Sequence, residues 1–160
     1  MNNIPATYLH LKEDIRQPMI VRAAKQEDYA RVIEIEKLSF PTAWDHDFLE
    51  KISKDIFLVF NGQEVCGYLI AGCCHENIVA TILKIAVHPE HRRKGIATNL
   101  VHKLVEILKD RKITEIDVIV IEGCKPAILF YKKAGFKTVS TIPQASNNDL
   151  YEMKLKLTYP

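Results

Sequence analysis

The chain lacks any apolar run approaching the ~20 residues of a membrane-spanning helix; among the longest, Ile116 to Ile121 is interrupted by Asp117. Its first residues carry no basic-then-apolar leader, so neither export nor membrane anchoring is expected, and the expected location is cytoplasmic. Its four cysteines, Cys66, Cys73, Cys74 and Cys124, include no C-x-x-C pair and no Cys/His ligand spacing. Reduced thiols packed in strands and loops are therefore expected, with no metal and no disulfide framework. Charge of one sign is also scarce: 22 Lys and Arg against 20 Asp and Glu leave a net charge of +2, too little to imply nucleic-acid binding. Basic residues concentrate only around positions 92 to 94. Linkers, internal repeats and low-complexity stretches are absent.

What is present is an ordinary globular composition, 48% hydrophobic and 26% charged over 160 residues, long enough to bury one core. Segments of period 3.6 and period 2 alternate, which indicates a single α/β domain. Met19 to Arg22 reads as a strand. Gln26 to Leu38 reads as a helix with Val32, Ile33, Ile35 and Leu38 turned inward, and Asp45 to Ile52 as a shorter helix after Pro41. Ile56 to Phe60, Asn61-Gly62 and Val65 to Cys74 read as a hairpin whose Asn-Gly supplies positive φ angles. Val79 to Val87 is the next strand, ended by Pro89. From Gly95 to about Arg111, Ala97, Leu100, Val101, Leu104, Val105 and Leu108 form one helical stripe, with His102, Lys103, Glu106, Lys109 and Asp110 facing water. Ile116 to Ile121 reads as a buried strand. The helix that follows has Pro126 at its start and Gly135 at its stop. Phe136 to Thr141 and Leu150 to Leu157 close as an antiparallel pair around the loop Ser146-Asn147-Asn148-Asp149.

Between the strand ending at Val87 and the long helix lies Arg92-Arg93-Lys94-Gly95-Ile96-Ala97-Thr98. A loop poor in large side chains, at a helix N-terminus and flanked by cations, offers unpaired N–H groups and a positive dipole end to an anion, a phosphate above all. This stretch resembles the acyl-CoA motif Arg/Gln-x-x-Gly-x-Gly/Ala of the GCN5-related N-acetyltransferase (GNAT) superfamily, met by Arg92, Gly95 and Ala97. Lys125-Pro126-Ala127-Ile128-Leu129-Phe130-Tyr131-Lys132-Lys133-Ala134-Gly135-Phe136 resembles the same superfamily's closing motif, in the expected order. The resemblance covers roughly Ile20 to Leu157, leaving residues 1–18 as an N-terminal extension to a domain of 19–160. It implies a mixed, twisted sheet that splays between the strands ending at Val87 and near Ile121, with acetyl-CoA in the gap.

The resemblance also implies roles for residues. Backbone amides of Arg93 to Thr98 would hold the pyrophosphate, Gly95 and Ala97 mattering for their small size. Ile85, Ala86 and Val87 would pair with the pantetheine arm as an added strand does. Tyr131 occupies the position from which the superfamily's tyrosine reaches the CoA sulfur, where a phenol can donate to the departing thiolate. The sequence looks closest to the ribosomal-protein alanine acetyltransferase branch, and its Leu38-Ser39-Phe40-Pro41-Thr42-Ala43-Trp44 resembles that branch's Ser-Phe-Pro-x-x-Trp wall of the acceptor site. It departs from the branch at three polar positions: the catalytic glutamate falls on Ile119, an arginine on Ile121 and a CoA-contacting asparagine on Cys124. An isoleucine accepts no proton. The amine must then lose its proton elsewhere, the candidates being water held by Glu122, His75, Glu76 or the Asp45/His46 loop.

The resemblance implies an acetyl-CoA-dependent N-acetyltransferase that acts by direct attack of a primary amine, a peptide or protein N-terminal α-amine first. Polyamines and other small amines stay open as acceptors. So does a different class of function, a CoA-binding sensor that has lost efficient catalysis, for which Ile119 argues and against which Tyr131 argues. The sequence leaves the oligomeric state open, a homodimer included.

Overall fold

The structure, a computed structural model, describes residues 19–52, 55–73 and 78–159. Cys74, His75, Glu76 and the extension 1–18 lie outside the described residues. In chain order the elements are β1 (Ile20–Ala23), α1 (Tyr29–Ser39), α2 (His46–Ile52), β2 (Ile56–Asn61), β3 (Val65–Cys73), β4 (Val79–Val87), α3 (Ile96–Asp110), β5 (Glu115–Ile121), α4 (Lys125–Lys133), β6 (Lys137–Ile142) and β7 (Leu150–Lys156). The strands form one sheet in the order β1-β2-β3-β4-β5-β7-β6, antiparallel throughout except for β4 against β5.

Alternation along the strands separates two cores. Leu58, Leu69, Ile82, Ile116 and Val118 face one side, where Leu100, Leu104 and Leu108 of α3 and Ile128 and Tyr131 of α4 cover them. Phe57, Val59, Tyr68, Ile70 and Ala86 face the other, under Val32 and Ile35 of α1 and Leu49 of α2. The stripe on α3 is the one its period predicts: Leu100, Val101, Leu104 and Leu108 are buried, with Ile96 added at the helix start.

Three local expectations are corrected. On α1, Leu38 is exposed and Glu36 is fully buried in its place. The buried stripe runs through Val32, Ile35 and Glu36, and at 3.6 residues per turn position 38 lies roughly 110° around from its centre. The hairpin forms, but Asn61 ends β2 and neither Asn61 nor Gly62 takes a positive φ; a register shift at Phe60/Asn61 lengthens the connection instead. β5 is buried on one face only, with Ile119 and Ile121 exposed on the other, because among the described residues no helix covers that face of β5, β7 and β6.

The sheet parts where the superfamily resemblance expects it to. β4 pairs with β5 only at Val79, Ala80 and Thr81, against Glu115, Ile116 and Asp117. Beyond that row a bulge interrupts β4: Ala71 pairs with Ile82 and Ile70 with Lys84, leaving Leu83 without a partner on β3. A bulge bends and twists its strand, which carries the rest of β4 away from β5. Ile85, Ala86 and Val87 keep their pairing to β3 through Leu69, Tyr68 and Gly67, and turn an unpaired edge toward the gap.

Candidate active site

At the open end of the gap, α3 begins on Gly95, whose φ of 77° lies in the left-handed region. Arg93, two residues earlier, is left-handed as well, at 63°. A non-glycine residue there costs roughly 1–2 kcal/mol, and such strain collects at ligand-binding turns. Asn99 is the first helix amide that pairs, donating to Gly95 O at 3.0 Å. The amides of Ile96, Ala97 and Thr98 precede it and have no helical acceptor. A Cβ at Gly95 would meet nothing nearer than Asn99 Nδ2 at 4.0 Å, so space above the turn is open. The Arg92 side chain turns away from these amides, donating to Val87 O at 2.9 Å and to Ser39 Oγ at 3.2 Å, and Lys94 Nζ donates to Glu90 O at 3.2 Å. Arg92 thus ties the turn to β4 and α1.

Tyr131 is set by the way its helix ends. Phe136 N–H donates to Tyr131 O at 2.9 Å and Gly135 N–H to Lys132 O at 3.0 Å, the paired bonds of a Schellman end, with Gly135 at φ 97°. The Phe136 ring then meets the Tyr131 ring edge-on at 5.2 Å, and the Phe130 ring also meets it edge-on, at 5.1 Å. The side chain is 4% exposed, and its hydroxyl has no hydrogen-bond partner among the described residues. Burial drives the phenol pKa well above its ordinary value, with a smaller contribution from the Cys124 thiol. Cys124 is exposed and occupies the N-cap position of α4 without a side-chain hydrogen bond to the helix.

The two sides of the gap share one face. Thr81 and Asp117 form the last paired row, so Asp117 sits at the apex, and Ile119 and Ile121 follow it on the side away from α3. Ile119, at the position expected to carry a carboxylate, is 47% exposed. Asp117, two residues nearer the apex on that face, has a buried Oδ1 with no partner among the described residues. Of the proton acceptors expected from the sequence, His75 and Glu76 lie outside the described residues; Asp45 Oδ1 takes the Phe48 N–H at 2.8 Å, the His46 ring lies 5.3 Å from that of Tyr29, and Glu122 takes the Tyr151 hydroxyl at 2.7 Å.

A charged cluster not anticipated from the sequence lines this same face. Glu36 accepts from the Tyr68 hydroxyl, from Trp44 N–H at 3.1 Å and from Lys84 Nζ at 3.2 Å. Lys84 Nζ lies 4.0 Å from the Phe40 ring centre and 4.1 Å from that of Trp44. The Phe40-to-Trp44 wall is therefore fastened to β4 one residue before Ile85. Among the described residues no group of three His, Cys, Asp or Glu could hold a metal ion, and no helix is long and apolar enough to cross a membrane.

An open strand edge, a left-handed glycine under unpaired helix amides and a buried unpartnered tyrosine together fit a thioester carrying a pyrophosphate tail. The sequence matches the Acetyltransferase (GNAT) family over residues 23–136. The chain belongs to that family. It is 28% identical over 159 residues to an N-alpha-acetyltransferase of Saccharolobus solfataricus, an alignment covering 89% of this chain and 95% of that protein. The ribosomal-protein-S18-alanine N-acetyltransferase of Escherichia coli superposes with a TM-score of 0.77 at 18% identity, over 88% of this chain and 95% of that one. Naa50 of Arabidopsis thaliana, solved with the bisubstrate analogue CoA-Ac-MVNAL, superposes with a TM-score of 0.75 at 17% identity, over 87% and 99%. The protein is an N-acetyltransferase of the GNAT type.

Proposed function

We propose that this acetyltransferase moves the acetyl group of acetyl-CoA onto the N-terminal α-amine of a peptide or protein, by direct attack and within a cytoplasmic domain of residues 19–160. The observation that supports the reading is the gap left where β4 stops pairing with β5, together with the unpaired amides that follow Gly95 at the start of α3. Its residues divide the work. Gly95 to Thr98 bind the pyrophosphate, the edge of Ile85 to Val87 aligns the pantetheine, and Cys124 borders the sulfur. The α-amine attacks the carbonyl carbon and the C–S bond breaks. Tyr131 donates its proton toward the departing sulfur, and the proton shed by the amine passes to water, for which Asp117 Oδ1 is the unsatisfied acceptor at the apex.

Two arguments favour an α-amine. A relative matched over 89% of this chain is named an N-alpha-acetyltransferase, and a neighbour of the same fold was solved with a bisubstrate analogue. The second argument is energetic. With Ile119 where a carboxylate is expected, deprotonation rests on the amine's own pKa. At pH 7 a lysine side chain of pKa ~10.4 costs roughly 4.6 kcal/mol to deprotonate, an α-amine near 7.7–8.0 only about 1–1.4 kcal/mol. The test uses one peptide with a free N-terminus and a blocked lysine, and its converse. A higher kcat/KM for the first is expected, rising with pH up to the amine's pKa; a clear preference for the lysine would overturn the reading.

A further inference from the structure

Lys84 occupies a place built for a cation. Its ammonium lies between the rings of Phe40 and Trp44, at 4.0 and 4.1 Å from their centres, and 3.2 Å from the fully buried carboxylate of Glu36. Aromatic faces attract a cation electrostatically, and a buried carboxylate is stable only when paired and hydrogen-bonded. Tyr68 and the Trp44 amide supply two of Glu36's hydrogen bonds, so Lys84 supplies the compensating charge. The Lys84 side chain keeps 14% of its surface exposed, so this enclosure has a mouth to solvent. That mouth opens on the α1–α2 side of β4, next to Ile85 and on the same sheet face as Ile119.

We propose that Phe40, Trp44 and Glu36 form a cation cage whose tenant is the protein's own Lys84, and that this tenancy keeps cationic amines out of the acceptor mouth. The proposal rests on reading the α1–α2 face as the acceptor side. A polyamine or a protonated lysine arriving there finds the rings covered and the carboxylate already paired, whereas an α-amine near its pKa can arrive neutral without needing a counter-charge. Lys84 is thus a specificity-determining residue, acting by occupying the site that a competing substrate would use.

Lys84→Ala empties the cage while leaving its walls, and n-butylammonium replaces the missing side chain. Trp44 is the only tryptophan, so its fluorescence reports the occupant. In Lys84→Ala, n-butylammonium should change that fluorescence saturably and raise the melting temperature; n-butanol, equally long and uncharged, should do neither, and the wild type should respond to neither compound. If Lys84→Ala is unfolded alone, refolding on n-butylammonium but not on n-butanol is the supporting result. An equal response of the wild type, or none from Lys84→Ala, overturns the cage. With acetyl-CoA present, the ratio of kcat/KM for spermidine to that for a peptide α-amine should rise about tenfold or more in Lys84→Ala and stay at the wild-type value in Lys84→Arg. A fall in both activities at constant ratio refutes the specificity role. Wild-type protein inactive toward every amine would instead sink the proposed function, and the fluorescence and melting results would still decide the cage.

Discussion

Replacing Tyr131 with phenylalanine separates catalysis from packing more cleanly here than at most buried tyrosines. The ring is fixed by Phe130 and Phe136, contacts that phenylalanine keeps. The hydroxyl gives up no protein hydrogen bond when removed, since it has none among the described residues. Deleting a hydroxyl that makes no hydrogen bond within the described residues should therefore change the melting temperature little. The loss falls on the transition state, where sulfur acquires charge. A hydrogen bond to a charged group contributes about 1.5–3 kcal/mol, equivalent at ~1.36 kcal/mol per decade to a fall in kcat of roughly 10- to 160-fold. Acetyl-CoA affinity should change little, because the ground-state thioester carries no such charge.

The direction of the pKa shift refines this. An ordinary phenol near 10 is already a weaker acid than a thiol near 8.5, so full proton transfer is uphill by roughly 2 kcal/mol. Burial raises the Tyr131 pKa further, which widens the gap and favours partial donation. A raised pKa also keeps the phenol protonated as pH rises, so kcat should show no falling limb from Tyr131 below about pH 10. The assay is thiol release at saturating acetyl-CoA across pH, beside thermal melts and calorimetry of acetyl-CoA binding for both proteins. An unchanged kcat, or a melting temperature several degrees lower in Tyr131→Phe, would refute the reasoning.

Two further substitutions probe the ligand cradle and the fold separately. Gly95→Glu adds bulk and negative charge at a left-handed residue with open space around it, and should abolish acetyl-CoA binding by calorimetry at a stability cost of about 1–2 kcal/mol; equal wild-type affinity for CoA and for pantetheine would count against the same assignment. Asp28 accepts from Arg22 at 2.7 and 2.9 Å and from Lys25 N–H at 2.7 Å, and the Arg22 hydrogen bonds chiefly hold its pKa below the usual carboxylate value. Its contribution is therefore present above about pH 4 and lost as pH falls through the folded-state value, so in urea unfolding Asp28→Ala should cost about 1.5–3 kcal/mol at pH 7 and progressively less below pH 4. A cost that does not shrink in acid would contradict the pairing.

The ends of the helices were legible because their signals are local. Gly135 marks a helix stop and takes the left-handed conformation glycine favours there; Gly95, expected only to be small, marks a helix start and is left-handed as well. The amides above Gly95 and the seat of Tyr131 follow from those two residues within one helical turn. The gap itself was legible only through the resemblance to a known family. Its immediate cause, the bulge at Leu83, leaves no mark in Ile82-Leu83-Lys84-Ile85, where any register would place an apolar residue on each face. The same ambiguity made β5 read as buried: Ile116, Val118 and Val120 find helices to cover them, and Ile119 and Ile121 do not.

The acceptor side stayed illegible for a different reason. A glutamate on a helix and a lysine on a strand read singly as solvated residues, and long charged side chains are rarely found fully buried. Glu36 departs from that rule because partners 8, 32 and 48 positions away in sequence converge on its two oxygens. No window of local sequence contains that convergence; it exists only once α1 lies on β3 and β4. The proposed ligand-binding end of the site is thus built from backbone conformations that single residues dictate, and the proposed acceptor end from side chains that the whole fold must bring together. A substitution at Gly95 should therefore act on acetyl-CoA whatever the acceptor, and one at Lys84 should act on the choice of acceptor while acetyl-CoA binding persists.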